Sequence, residues 1–141
     1  MLTIEMREGR RPPDSERISD APQRLRELSD VAKAAAVAKG VSRAVGEVFT
    51  AELESVRYCS FDRAQEFRKP AEMRVTLRAL THDDCAPVQA VRETDLEQAI
   101  AQALSETANE DYRVRVIDKS YGPSSAAPFG AMRLTVLVGR A

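Results

Sequence analysis

The chain has 141 residues, 43% of them apolar, and a formal net charge of -1 at pH 7. This size fits one domain over residues 1–141, and two cysteines are too few for a disulfide-stapled scaffold. The sequence contains neither an apolar run of the roughly 18 residues that a membrane helix needs nor an apolar signal-peptide region near its start. We therefore expect a soluble cytoplasmic domain of bacterial type without a membrane partner.

The N-terminal part predicts a strand, a linker and a helix. Apolar and polar residues alternate over Leu2–Met6, which is typical of a short strand. Residues 7–19 have no face to bury and are expected to form a flexible loop or linker. Asp20 is the predicted N-cap of the helix and Gly40 its predicted C-terminal stop. The predicted buried stripe of this helix is Leu25, Leu28, Ala32 and Ala35.

The next segment is ambiguous at first and then predicts a hairpin. Residues 41–53 fit either a helix or a strand. Alternation that begins at Phe49 continues in the opposite phase from Val56, and a β-bulge produces such a slip. We therefore predict a bulged strand over Val48–Phe61, followed by a strand over Glu72–Leu80.

The C-terminal part predicts a helix and two more strands. Thr94 opens a capping box in which Glu97 is expected to reach back to the helix start. The helix should end near Asn109, which tolerates the left-handed conformation. Alternating residues predict strands over Tyr112–Lys119 and Met132–Val138. Inspection of the sequence reveals no internal repeat.

The predicted order of elements suggests an α+β fold. Strand, helix, strand, strand, helix, strand matches the ferredoxin-like βαββαβ arrangement, and the last strand is expected as an extra C-terminal strand at an edge of the sheet. Such an antiparallel sheet carries both helices on one face. This fold serves many unrelated functions and by itself implies none of them.

The other face of the predicted sheet is rich in arginine. Its predicted residues, including embedded aliphatic ones, are Arg74, Thr76, Arg78, Leu80, Arg113, Arg115, Ile117, Lys119, Arg133, Thr135 and Leu137. The candidate interface residues among them are Arg74, Arg78, Arg113, Arg115, Ile117 and Leu137. Phe129, in the loop before the last strand, is a candidate anchor onto a partner.

Three functions are open for this arginine-rich open sheet face. It could be an ordinary solvated surface, a site for self-association or another protein partner, or a site for a polyanion such as nucleic acid. Nucleic acid is disfavoured because the predicted outward positions hold no aromatic residue on which bases could stack. In a homo-oligomer, the acidic complement could come from a neighbouring subunit's second helix and its flanks, namely Glu93, Asp95, Glu97, Glu106, Glu110 and Asp111.

A small enzyme or metal-binding protein is the alternative from another class. His82, Asp83, Asp84 and Cys85 are adjacent acid–base, nucleophilic or metal-ligating groups, with His82 and Cys85 in reach of each other within a turn. The simpler interpretation is that the two aspartates organise that turn through local amides. No recurring ligand spacing accompanies the segment, so no metal or cofactor is expected. The sequence therefore favours a non-enzymatic binding or assembly domain.

Overall fold

The computed structural model describes residues 22–58, 69–80, 85–121 and 131–141. Within them the helices are α1 (Gln23–Glu27), α2 (Asp30–Val45), α3 (Ala86–Ala90) and α4 (Glu93–Ala108). The strands are β1 (Phe49–Tyr58), β2 (Ala71–Ala79), β3 (Tyr112–Tyr121) and β4 (Ala131–Arg140). The predicted strand Leu2–Met6, the linker 7–19 and the cap Asp20 lie outside the described residues. A search of the described helices finds no segment with the length and apolarity of a membrane span.

The α+β class and the antiparallel sheet are confirmed, but the ferredoxin-like strand order is not. The four strands form one antiparallel sheet in the order β1-β2-β4-β3. A ferredoxin-like arrangement would insert the strand Leu2–Met6 between β2 and β3. That position is taken by β4, which pairs with β2 from Ala71–Val138 to Arg78–Ala131. The C-terminal strand expected at the edge is therefore central.

The N-terminal helix differs from its prediction in its bounds and in part of its buried stripe, of which Leu25 is fully buried but Ala35 is exposed. The predicted helix is interrupted at Leu28, whose backbone is extended. The second helix, α2, begins after Ser29, whose side chain accepts a hydrogen bond from the Ala32 amide at 3.1 Å. The helix passes through Gly40 and ends at Gly46, where φ is 87°. Residues 41–45 are therefore helical. The buried residues of α2 are Lys33, Ala34, Ala36, Val37, Ala38, Gly40 and Val41.

Both edge strands of the described four-stranded sheet are bulged. The bulge predicted in β1 is confirmed and lies between Leu53 and Ser55. A second bulge, which the sequence analysis missed, lies between Val116 and Asp118 in β3. It reverses the alternation, so Lys119 pairs with the core residue Leu134 and lies on the helix side of the sheet. The prediction that Lys119 points away from the helices was wrong for this reason.

The second long helix matches its prediction except at its start. Leu96, Ile100, Ala103 and Leu104 are fully buried, and Asn109 ends the helix in the left-handed conformation. The Thr94 capping box does not form, since α4 begins at Glu93 after Arg92 without a side-chain cap. The carboxylate of Glu97 instead accepts a hydrogen bond from the Val116 amide at 2.8 Å.

The chain contains an internal structural repeat, contrary to the sequence analysis. Each unit has a five-residue helix, a 16-residue helix, a bulged strand and a second strand. The first unit covers residues 23–79 and the second covers 86–140. Asp30 corresponds to Glu93 and Phe49 to Tyr112, a constant spacing of 63 residues (93 − 30) up to the end of the bulged strand.

The two units also share local hydrogen bonds. Ser42 Oγ accepts from the Phe49 amide at 3.0 Å, and Ser105 Oγ accepts from the Tyr112 amide at 3.1 Å. These bonds fix the turn from each long helix into its bulged strand. The identical residues at this spacing are few: Ala36 and Ala99, Ala38 and Ala101, Ser42 and Ser105, Glu47 and Glu110, Tyr58 and Tyr121.

A local two-fold axis relates the units. Ala79 pairs with Phe49, the first residue of β1, and Arg140 pairs with Tyr112, the first residue of β3. Because Phe49 and Tyr112 are equivalent in the two units, Ala79 and Arg140 are equivalent as well. By the same register Arg74 corresponds to Thr135, and these two residues pair with each other where β2 meets β4. The axis therefore passes between Arg74 and Thr135, at the centre of the sheet.

Candidate functional site: the open face of the sheet

The face of the sheet turned away from α2 and α4 is here called the open face. Alternate residues of β2, such as Met73 and Val75, are fully buried on the helix side, which turns Arg74 to the other side. The register extends this face across the sheet. It comprises Thr50, Glu52, Glu54, Ser55 and Arg57 of β1; Glu72, Arg74, Thr76 and Arg78 of β2; Ala131, Arg133, Thr135, Leu137 and Gly139 of β4; and Arg113, Arg115, Ile117, Asp118 and Ser120 of β3.

The centre of the open face has little charge. Apart from Arg133, the open-face residues of β4 are small or apolar: Ala131, Thr135, Leu137 and Gly139. Leu137 and Thr135 are only 6% and 3% exposed. Arginines of both neighbouring strands flank this row, since Thr135 pairs with Arg74 and Leu137 pairs with Arg115. The result is a weakly polar centre between two lines of arginine.

One ion pair crosses the open face beside this centre. Arg133 Nη2 lies 2.7 Å from Glu54 Oε1, and the Thr76 hydroxyl donates a hydrogen bond to the same carboxylate. Burial raises the pKa of Glu54, but the contacts with Thr76 and Arg133 and the charge of Arg74 outweigh it, so the pKa is lowered. The carboxylate is therefore firmly ionised near neutral pH.

The described interface candidates lie together on this face. Arg74, Arg78, Arg113, Arg115 and Leu137 occupy it as the alternation predicted. Ile117 is the extra residue of the bulge in β3 and corresponds to Glu54, the extra residue of the bulge in β1. The side chain of Ile117 is 39% exposed. That equivalence puts it on the open face, because the Glu54 carboxylate contacts open-face side chains. The proposed anchor Phe129 lies outside the described residues.

The acidic residues of α4 and its flanks are not a free complement to these arginines. Most of them are engaged inside the chain: Asp95 with Arg92, Glu97 with the Val116 amide, Glu106 with Arg43 and Glu110 with Arg140. Most of the acids that α4 of a neighbouring subunit was expected to offer to the open face are therefore already bound within their own chain.

The second candidate site is described only at Cys85, since His82, Asp83 and Asp84 lie outside the described residues. Cys85 is fully buried, and its Sγ donates to the Leu77 carbonyl oxygen at 3.4 Å. The thiol is thus part of the hydrophobic core beneath β2. Over the described ranges, no group of three or more His, Cys, Asp or Glu side chains is arranged to hold a metal ion.

An open groove of about 620 Å³ separates α4 from the edge of β3. Its walls include Glu93, Gln98, Tyr112 and Arg113. Two side chains of α4 bind backbone amides at the edge of β3. Ser105 accepts a hydrogen bond from the Tyr112 amide, and Glu97 accepts one from the Val116 amide. Sequence reasoning missed this role of Glu97, since the residue also completes a capping-box pattern.

Comparisons of the chain with protein-family models, with curated proteins and with solved structures give no match.

Proposed function

We propose that this chain is a non-enzymatic assembly domain that binds a second copy of itself through the open face of its sheet. One observation carries the proposal: arginines of β2 and β3 surround the weakly polar row of β4, and Ile117 lies exposed beside them on the same face. Protein interfaces are enriched in arginine and combine it with apolar contact residues, the part that Ile117 would supply here.

The strand edges are poor alternatives for assembly. Addition of a strand needs an uninterrupted edge, and both edge strands carry a bulge at corresponding positions. The edge of β3 is also occupied by Ser105 and Glu97. These features direct association to the face rather than to the edges.

The charge pattern favours a protein surface over a polyanion. Acids accompany the arginines on the open face, and two of them form ion pairs, Glu54 with Arg133 and Glu72 with Arg57. Such pairs would oppose a phosphate backbone, which is bound through unneutralised positive charge. A surface with both signs is the kind that a second copy can match.

The test is the native mass by light scattering, with Ile117→Asp as the disruptive variant. Ile117 is 39% exposed, so a charge there is compatible with a folded subunit. Val31→Asp is the matched control, because Val31 is an 80% exposed residue of α2 and lies away from the open face. We expect an oligomer for the wild type and for Val31→Asp, and a folded monomer for Ile117→Asp.

Either of two results overturns the proposal. The first is a monomeric wild type at every concentration, and the second is an unchanged oligomer for Ile117→Asp. Repeating the measurement at high salt reports the ionic share of the contact, since ion pairs between exposed groups weaken as salt rises.

A further inference from the structure

Two oppositely charged side chains on the open face remain unused by the fold. Glu52 of β1 and Arg78 of β2 are both exposed. Among the residues that the structure describes, neither takes part in an ion pair or a side-chain hydrogen bond. Their neighbours on the same two strands do form one, since Arg57 Nη2 lies 3.1 Å from Glu72 Oε1.

The register puts the two side chains near one end of the first unit. Glu52 pairs with Thr76, and Arg78 pairs with Thr50, so Glu52 and Arg78 are diagonal neighbours on one face. Diagonal neighbours with long side chains are within reach of each other, yet this pair is not closed. Both groups are therefore available to a partner that approaches the open face.

We propose that, in the dimer, Glu52 of each subunit forms an ion pair with Arg78 of the partner subunit. The inference rests on the proposed function and names the contact that sets the orientation of the two copies. A two-fold interface is self-complementary: if one residue contacts another across it, the reverse contact also forms. An acid and a base that lie close together on one subunit thus make two identical ion pairs across the axis.

The test is a charge exchange read by sedimentation equilibrium of the full chain. Glu52→Arg and Arg78→Glu each oppose like charges twice across the axis, so we expect each single variant to raise the dimer Kd by about tenfold or more. The double variant restores opposite charges and should return the Kd to within about threefold of the wild type. Glu93→Arg makes the same charge change as Glu52→Arg at an exposed residue of α4, on the other side of the sheet. It is the matched control and should leave the dimer Kd unchanged.

The outcomes separate this inference from the proposed function. A wild type that stays monomeric overturns both. A wild-type dimer that either single variant leaves intact, or whose loss the double variant fails to reverse, overturns the ion pair alone. Circular dichroism of each variant shows whether the subunit is folded, so that a loss of dimer is assigned to the contact rather than to unfolding.

Discussion

The Cα of Ile100 in α4 lies 2.5 Å from the point that a Cβ on Gly40 of α2 would occupy. The Ala99 carbonyl oxygen is 2.8 Å from the same point. Both neighbours are backbone atoms, which cannot move aside as a flexible side chain can. The hydrogen atom of Gly40 is therefore what allows the two long helices to pack this closely against each other.

Gly40→Ala should destabilise the protein by about 1–3 kcal/mol, because α2 and α4 must separate to admit the methyl group. Helix propensity alone predicts the opposite, a gain of about 1 kcal/mol. Urea unfolding measures the difference. Ala35→Gly, at an exposed position of the same helix, is the control and should cost about 1 kcal/mol through propensity alone. A stabilised Gly40→Ala variant would contradict the close packing.

Lys33→Met should stabilise the protein by about 1 kcal/mol. Lys33 is only 4% exposed, and its Nζ lies 3.9 Å from an Asp30 carboxylate that is itself largely in solvent. The corresponding residue of the second unit is Leu96, which is fully buried. Methionine keeps the length of the side chain and removes the cost of desolvating the ammonium group.

Thermal or urea unfolding measures the effect of Lys33→Met. Lys39→Met is the control, since Lys39 is half-exposed and the change should stay within about 0.5 kcal/mol. A loss of stability at position 33 would mean that the ammonium group contributes more than its contact with Asp30.

Glu54→Gln should reduce the dependence of stability on pH. The pKa of Glu54 is lowered from 4.5 in the folded protein, so its ionised form adds stability above that value. This contribution is lost as the pH falls below about 4.5 and through the lowered folded-state pKa. We expect Glu54→Gln to cost about 1 kcal/mol at pH 7 and progressively less towards pH 3.

Urea unfolding at pH 7, 5, 4 and 3 follows this dependence. Glu27→Gln, an exposed carboxylate at the end of α1, is the control and should keep the wild-type profile. Parallel wild-type and Glu54→Gln profiles would show that the contacts of Glu54 with Arg133 and Thr76 do not stabilise the fold.

Glu97→Ala should destabilise the bulge of β3, because the Val116 amide loses its acceptor. An unsatisfied donor costs about 1–3 kcal/mol when water cannot replace the acceptor, and less where it can. Hydrogen exchange followed by NMR should show faster exchange at Val116 than in the wild type. Gln98→Ala, the exposed neighbour on α4, should leave that rate unchanged. Unaltered exchange in Glu97→Ala would argue against the hydrogen bond.

Local patterns in the sequence predicted local structure well. The phase slip between Phe49 and Val56 located the bulge of β1, and Asn109 marked the end of α4. The alternation over β2 also put Arg74 on the open face. These features depend on neighbours along the chain, so the residues themselves carry the information.

Features set by distant contacts escaped prediction. Gly40 resembles a helix stop, and only the approach of Ile100 explains a glycine inside α2. The pairing of β2 with β4 is likewise non-local, and it is the pairing at which the ferredoxin-like order is not confirmed. The repeat escaped notice because its units share few identical residues, whereas burial and hydrogen bonding at Ser42 and Ser105 reveal it.

The repeat bears on how the chain could be connected. The Ala141 amide donates to the Asp111 carbonyl oxygen at 3.0 Å, as the Leu80 amide donates to that of Val48 at 2.9 Å. The second unit thus ends as the first one does, and its end lies beside Arg24, which lines the same surface pocket as Ala141. The end of the second unit and the beginning of the first unit are therefore neighbours in space. The three-dimensional arrangement is therefore compatible with either order of the two units along the polypeptide.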